Sequence, residues 1–131
     1  MTIAVAWVRT IRNCEELVFV TDSRLSGDGR TFDCCPKVIT LPRGDCAIAF
    51  AGYSGHAFPM MQQLSNAIDA HAPLKRGSLD MVAMKAHTLK IFDDMSALIN
   101  SSERLSSPIG TYPEADFIFG GYSWIAKKFI I

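Results

Sequence analysis

Apolar residues gather in short runs at the start of the chain, recur at helical spacing in its middle, and return to strand-like runs at the end. "TIAVAWV" (2–8) and "ELVFVTDS" (16–23) are rich in β-branched and aromatic residues and are joined by the polar "RTIRNCE", a pattern that predicts an antiparallel hairpin. "KVITL" (37–41) and "CAIAFAG" (46–52) flank "PRGD", where Pro and Gly supply the turn chemistry, and predict a second antiparallel pair. The first half of the chain therefore reads as a small antiparallel sheet of about four strands, with "SGDGRTFDCCP" (26–36) as a loop or irregular edge.

The period then changes. "SGHAFPMMQQLSNAIDAHA" (54–72) and "SLDMVAMKAHTLKIFDDMSALIN" (78–100) carry apolar residues at helical spacing, the second through Met81, Met84, Thr88, Ile91, Phe92, Met95 and Leu98 or their neighbours. Ser78 and Asp80 predict the start of the second helix, with Asp80 in its first turn, and "APLKRG" is the connector. Pro59 is expected in the first turn of the first helix or at a bend, because its missing N–H is harmless only at a helix start. After the polar "NSSERLSSPIGTYPE", strands return as "ADFIFGGYS" (115–123) and "AKKFII" (126–131). This order predicts an α+β fold in which helices pack on sheets. The sequence stops inside an apolar strand at Ile131, which reads as the first part of a longer protein with an open strand edge.

Composition narrows the functional classes. With 131 residues, 49% of them apolar, the chain has material for one core, and a single domain spanning 1–131 is expected. Thirteen basic and thirteen acidic residues cancel without a Lys/Arg stripe, which argues against nucleic-acid binding. No apolar run has the length of a membrane span and no signal-peptide pattern opens the chain, so a cytoplasmic protein without a membrane partner is expected. Of four cysteines, Cys34 and Cys35 are adjacent and none forms a C-x-x-C pair. Reduced thiols are expected rather than zinc ligands or a disulfide framework, with a thiol-based redox role for Cys34 and Cys35 as a distant alternative. His56, His71 and His87 are unclustered, and neither a metal nor another cofactor is expected.

Charged residues on or beside strands carry the chemical signal. Asp22, Arg24 and Lys37 fall where a core should form, and a buried lysine is physically coherent only with an acidic partner. The ordered set "MTIAVA", "VTDSR", "PKVITL" and "AIAFAG" before a helix resembles the N-terminal half of a proteasome β-type subunit, an N-terminal nucleophile (Ntn) hydrolase. "FIFGGYSWIAKKFII" is similar to that family's later strand pair, so the likeness covers nearly the whole chain.

The resemblance implies an αββα four-layer sandwich and a threonine peptidase or amidohydrolase. Thr2 would be the nucleophile once Met1 is removed, with its own α-amine as base, a group whose unperturbed pKa is about 7.7 to 8.0. Asp22 would orient and neutralise Lys37, and Lys37 would lower the pKa of the Thr2 hydroxyl and stabilise negative charge. Gly52 matches the glycine whose N–H forms the oxyanion hole, and Phe50 and Ser54 would face the substrate side chain. Arg24 reads as a structural brace, since guanidinium favours bidentate carboxylate pairing. The same family implies peptide or amide substrates and a homo-oligomeric ring, and leaves room for a regulatory ATPase partner. It also contains non-catalytic scaffold or binding subunits, which is the alternative function. Against these roles stand plainer ones: Thr2 as the start of an edge strand, Asp22 with Arg24 or Lys37 as a strand-end ion pair, and Gly52 as a helix-entry turn. The chain departs from the family in a longer first hairpin and in having only Met1 ahead of Thr2. The family's later serine and aspartate near the nucleophile have no counterpart in these 131 residues, which leaves the shown sequence short of a complete catalytic set.

Overall fold

The computed structural model describes residues 2–27, 29–106 and 115–131. Within these, β1 (Ala4–Ile11) and β2 (Cys14–Thr21) form the first hairpin. Its turn is only Arg12–Asn13, both at positive φ (49° and 68°), the geometry whose twist suits a two-residue hairpin loop. Most of the polar "RTIRNCE" is therefore strand. Arg9 and Glu16, directly opposite each other, replace an apolar pair with an ion pair of 2.7 Å.

The segment read as a loop contains a second small hairpin, β3 (Leu25–Gly27) with β4 (Arg30–Phe32). The signal was present as Asp-Gly at 28–29, and Gly29 lies at φ +72°. β5 (Val38–Thr40), β6 (Cys46–Gly52), β7 (Ala115–Ser123) and β8 (Lys128–Ile130) make one antiparallel four-stranded sheet in that order. Between β6 and β7 lie α1 (Ser54–Ala70), the four-residue α2 (Ala72–Lys75) within the expected connector, and α3 (Met81–Ser106). α3 continues beyond the expected end at Asn100, and positions 107–114 of the polar connector lie outside the described residues.

Two adjacent glycines of β7 reveal how the layers stack. A side chain on Gly120 would meet Leu17 and Phe19 of β2, whereas one on Gly121 would meet Cys46 and Met81 at the start of α3. Successive strand residues point to opposite faces, so the four-stranded sheet lies between the β1–β2 hairpin and the helices. On the helical side, Ile48 and Phe50 pack with Met61, Leu64 and Ile68 of α1 and with Met84 of α3, all essentially inaccessible to solvent. The molecule is thus a mixed α+β structure. Among the described residues no second helical layer covers the hairpin, whose outward residues Val5, Trp7 and Val20 are 40–50% exposed.

Pro59 lies inside α1, beyond the first turn, and leaves the Gly55 carbonyl without its usual helical donor. Asp80 precedes α3 rather than sitting in its first turn. Its carbonyl accepts from the Met84 N–H, and its carboxylate accepts from the Val82 N–H (3.4 Å), the Ser123 hydroxyl (2.9 and 3.1 Å) and the Ile125 N–H (3.3 Å). Burial would raise the pKa of this carboxyl, but those donors outweigh it and hold it below the ordinary range. One side chain thereby caps α3 and ties it to the end of β7. Of the expected apolar stripe on α3, Met81, Met84, Thr88 and Phe92 are buried, whereas Leu98 is exposed and Ile99 turns partly inward in its place. Among the described residues no helix is long and apolar enough to cross a membrane.

Candidate active site

The register of the first hairpin brings Thr2 and Asp22 together. Ala4 pairs with Thr21, and one step further the Asp22 N–H donates to the Ile3 carbonyl (3.2 Å) while the Ile3 N–H donates to Asp22 Oδ1 (2.9 Å). Lys37 arrives from the other sheet, immediately before β5, where the Phe50 N–H donates to its carbonyl (3.0 Å). The site is therefore built across the interface between the two sheets.

Lys37 is completely buried, and an ammonium has three protons to place. They go to Asp22 Oδ2 (2.8 Å), the Arg24 carbonyl (2.5 Å) and Thr2 Oγ1 (3.3 Å). The first two contacts compensate the burial of the charge. The third aims it at the Thr2 hydroxyl.

Asp22 responds as a carboxylate in such a setting should. The hydrogen bond from Lys37 is the main cause of a pKa lowered to about 2, helped by the Ile3 N–H, opposed by partial burial, and helped again by the charge of Lys37 and the Arg24 N–H. An aspartate in the unfolded chain titrates near 4. Because the folded pKa is the lower one, Asp22 contributes stability that is fully present above about pH 4 and is lost as pH falls toward about 2. Asp22→Asn should therefore flatten the acid side of the stability curve measured by denaturant titration at stepwise pH. Identical acid limbs in parent and variant would show that the pairing has no energetic weight.

Arg24 pairs with Asp33, a residue the sequence analysis did not single out. Its guanidinium makes a bidentate pair (Nε to Oδ1 2.6 Å, Nη2 to Oδ2 3.2 Å), and the Ser23 hydroxyl donates to the Asp33 carbonyl (2.7 Å). Both partners are exposed, so water screens the pair, and its role is to shape the chain between β2 and β5.

Beside Thr2 opens a cavity of about 630 Å³. Its walls are Gly52 and Ser54 at the strand-to-helix junction and, opposite them, residues of the β3–β4 hairpin such as Arg30 and Phe32. Gly52 has φ +106°, a conformation that L side chains rarely adopt, which accounts for glycine at the end of β6. Ser54 reaches the cavity as the first residue of α1. Phe50 does not. Its ring is fully buried in the core, edge-on to Phe58 with centroids 5.0 Å apart, because the same alternation that carries Ile48 into the helix layer carries Phe50 with it. The pocket-facing position expected for Phe50 is corrected accordingly. Sequence reasoning also missed Tyr53, which lines the cavity as the residue capping α1.

The thiols lie apart from this chemistry. All four are free, Cys34 is exposed and Cys35 half-exposed, and burial together with the Asp45 carboxylate pushes the Cys46 thiol up to about 12 despite Arg43 nearby. Among the described residues no three His, Cys, Asp or Glu side chains gather as metal ligands. Compared with known proteins, the chain matches no family model and no curated sequence.

Proposed function

We propose that the protein is a proteasome-β-like threonine peptidase or amidohydrolase of the Ntn type, with Thr2 as nucleophile after removal of Met1. The observation that carries this reading is the buried Lys37 ammonium, held by Asp22 and the Arg24 carbonyl and donating to Thr2 Oγ1 at the edge of a cavity. An ordinary strand-end ion pair needs neither full burial of the lysine nor the Thr2 hydroxyl as a third acceptor.

In this mechanism the Thr2 hydroxyl attacks the substrate carbonyl carbon as its proton passes to the free α-amine. The resulting oxyanion is met by the Gly52 N–H, and the Lys37 ammonium favours negative charge on the attacking oxygen. Collapse breaks the C–N bond, the departing amine takes the proton from the α-ammonium, and a water then hydrolyses the Thr2 ester. The product acid is released and the hydroxyl is regenerated.

The four-layer αββα sandwich is part of the same reading. Its support is the apolar outward face of the first hairpin, Val5, Trp7 and Val20, where a further layer would gain by burial. Assembly into a homo-oligomeric ring, a cytoplasmic location and service to a regulatory ATPase complete the proposal. Native mass spectrometry of the cell-made protein, treated with a threonine-directed β-lactone, tests it in one measurement. The expected result is an oligomer lacking Met1 and carrying one label per chain on Thr2. Met1 retained and Thr2 unlabelled would leave only a scaffold role, and a monomer would remove the ring.

A further inference from the structure

Among the described residues the charge around the cavity does not cancel. Lys37 is matched by Asp22 and Arg24 by Asp33, each through direct hydrogen bonds. The Arg30 side chain, on the opposite wall in β4, makes no hydrogen bond or ion pair among the described residues, and no described residue lining the cavity is acidic. A cationic fork thus faces the same space as Thr2, with the start of α1 and its positive dipole end on the adjoining wall at Ser54.

From this arrangement we infer that the cavity selects substrates bearing a carboxylate close to the scissile amide, an acidic peptide or acidic acyl amide, with Arg30 as the residue that reads it. The inference rests on the hydrolase reading above and deepens it. The cavity volume, about 630 Å³, is in the range of sites that enclose a small ligand, so it has room for a side chain beside the reacting carbonyl. Phe32 and Tyr53 supply apolar wall for the methylene stem of such a side chain, while the guanidinium offers a planar pair of donors matched to a carboxylate. Arg24 is the weaker candidate, because Asp33 already occupies its fork.

The test compares capped peptide amides that differ only in Glu, Gln or Lys immediately before the scissile bond. The parent should hydrolyse the Glu peptide with a kcat/KM about tenfold to a hundredfold above the Gln isostere, the span of one charge-assisted hydrogen bond. The ratio should shrink at high salt, since Arg30 is exposed. Arg30→Gln should bring the Glu-to-Gln ratio near one and Arg30→Glu should turn it toward Lys, each ratio being taken within a single variant so that a general change of rate cancels. Equal turnover of Glu and Gln peptides by the parent, or a preference that survives Arg30→Gln, overturns the inference and leaves the hydrolase intact. If the lactone never labels Thr2, the hydrolase reading fails instead. The carboxylate preference is then read by calorimetric binding of the same peptides to the unmodified protein, where the absence of a Glu-over-Gln preference overturns it.

Discussion

Lys37→Ala should lower both the rate of Thr2 labelling and amide turnover by a factor on the order of a hundred or more, as removal of a charge-stabilising group from an active site typically does. The reason is geometric. Two of the three contacts of the ammonium hold it in place, and the third is the Thr2 hydroxyl proposed as the nucleophile. Folding should suffer less than chemistry, because Asp22 keeps 30% of its side chain exposed and water replaces the lost partner. Lys37→Arg is the sharper variant. It retains the charge, but a planar fork does not reproduce three donors splayed toward three separate acceptors, so thermal stability should recover further than the labelling rate. Parent-like labelling and turnover in both variants would reduce Lys37 to an ion-pair partner and end its catalytic assignment.

Gly121→Ala should be the most damaging small substitution for stability. A Cβ there would lie 2.5 Å from the Cys46 Cβ, 2.7 Å from the Asp45 carbonyl oxygen and 2.8 Å from the Met81 sulfur. The sulfur can swing aside, but the carbonyl and the Cβ are tied to β6 and the turn before it, so β7 itself must move. Overpacking of this kind costs about 1–3 kcal/mol or more, read as a shift of the denaturation midpoint at unchanged slope. Gly120→Ala is the internal comparison. Its nearest contacts are 3.1 to 3.3 Å and two of the three are side-chain ends of Leu17 and Phe19, so its cost should be smaller. The pair of Cys46 with Gly121 lies six residues along β6 from Gly52, about 20 Å of strand. The folded fraction of Gly121→Ala should therefore label at Thr2 as the parent does. An unchanged midpoint would mean that the sheet and α3 are less tightly joined than these distances require.

Much of the architecture was legible because its signals are local. Short apolar runs bounded by turn residues marked β1, β2, β6 and β7, and "CAIAFAG" and "ADFIFGGYS" coincide with β6 and β7 to the residue. The switch to helical spacing marked α1 and α3. Where expectation and structure part, a short-range rule had a competitor. The polar "RTIRNCE" continues as strand because cross-strand pairing of Arg9 with Glu16 and a two-residue turn at Arg12–Asn13 satisfy it. The β3–β4 hairpin was announced only by one Asp-Gly dipeptide, flanked by strands of three residues each, too short to show alternation. Asp80 became a cap because a distant hydroxyl, Ser123, meets its carboxylate.

For the site, the sequence alone determined which residue types were out of place: an acid, a guanidinium and an ammonium beside apolar strands, and a glycine at the entry to a helix. It also determined the chemistry open to them, since donors, acceptors and charge are properties of the side chains themselves. Only the tertiary structure decided who meets whom. Lys37 and Thr2 are 35 positions apart and lie just ahead of strands of different sheets, and their 3.3 Å contact exists because those sheets face each other. Arg24 chose Asp33 over Asp22 because the chain between β2 and β5 folds back on itself, and Phe50 went to the core rather than the cavity because α1 covers its face of β6. Such pairings depend on register and on layer packing, which bring together residues whose separation along the chain carries no period to read.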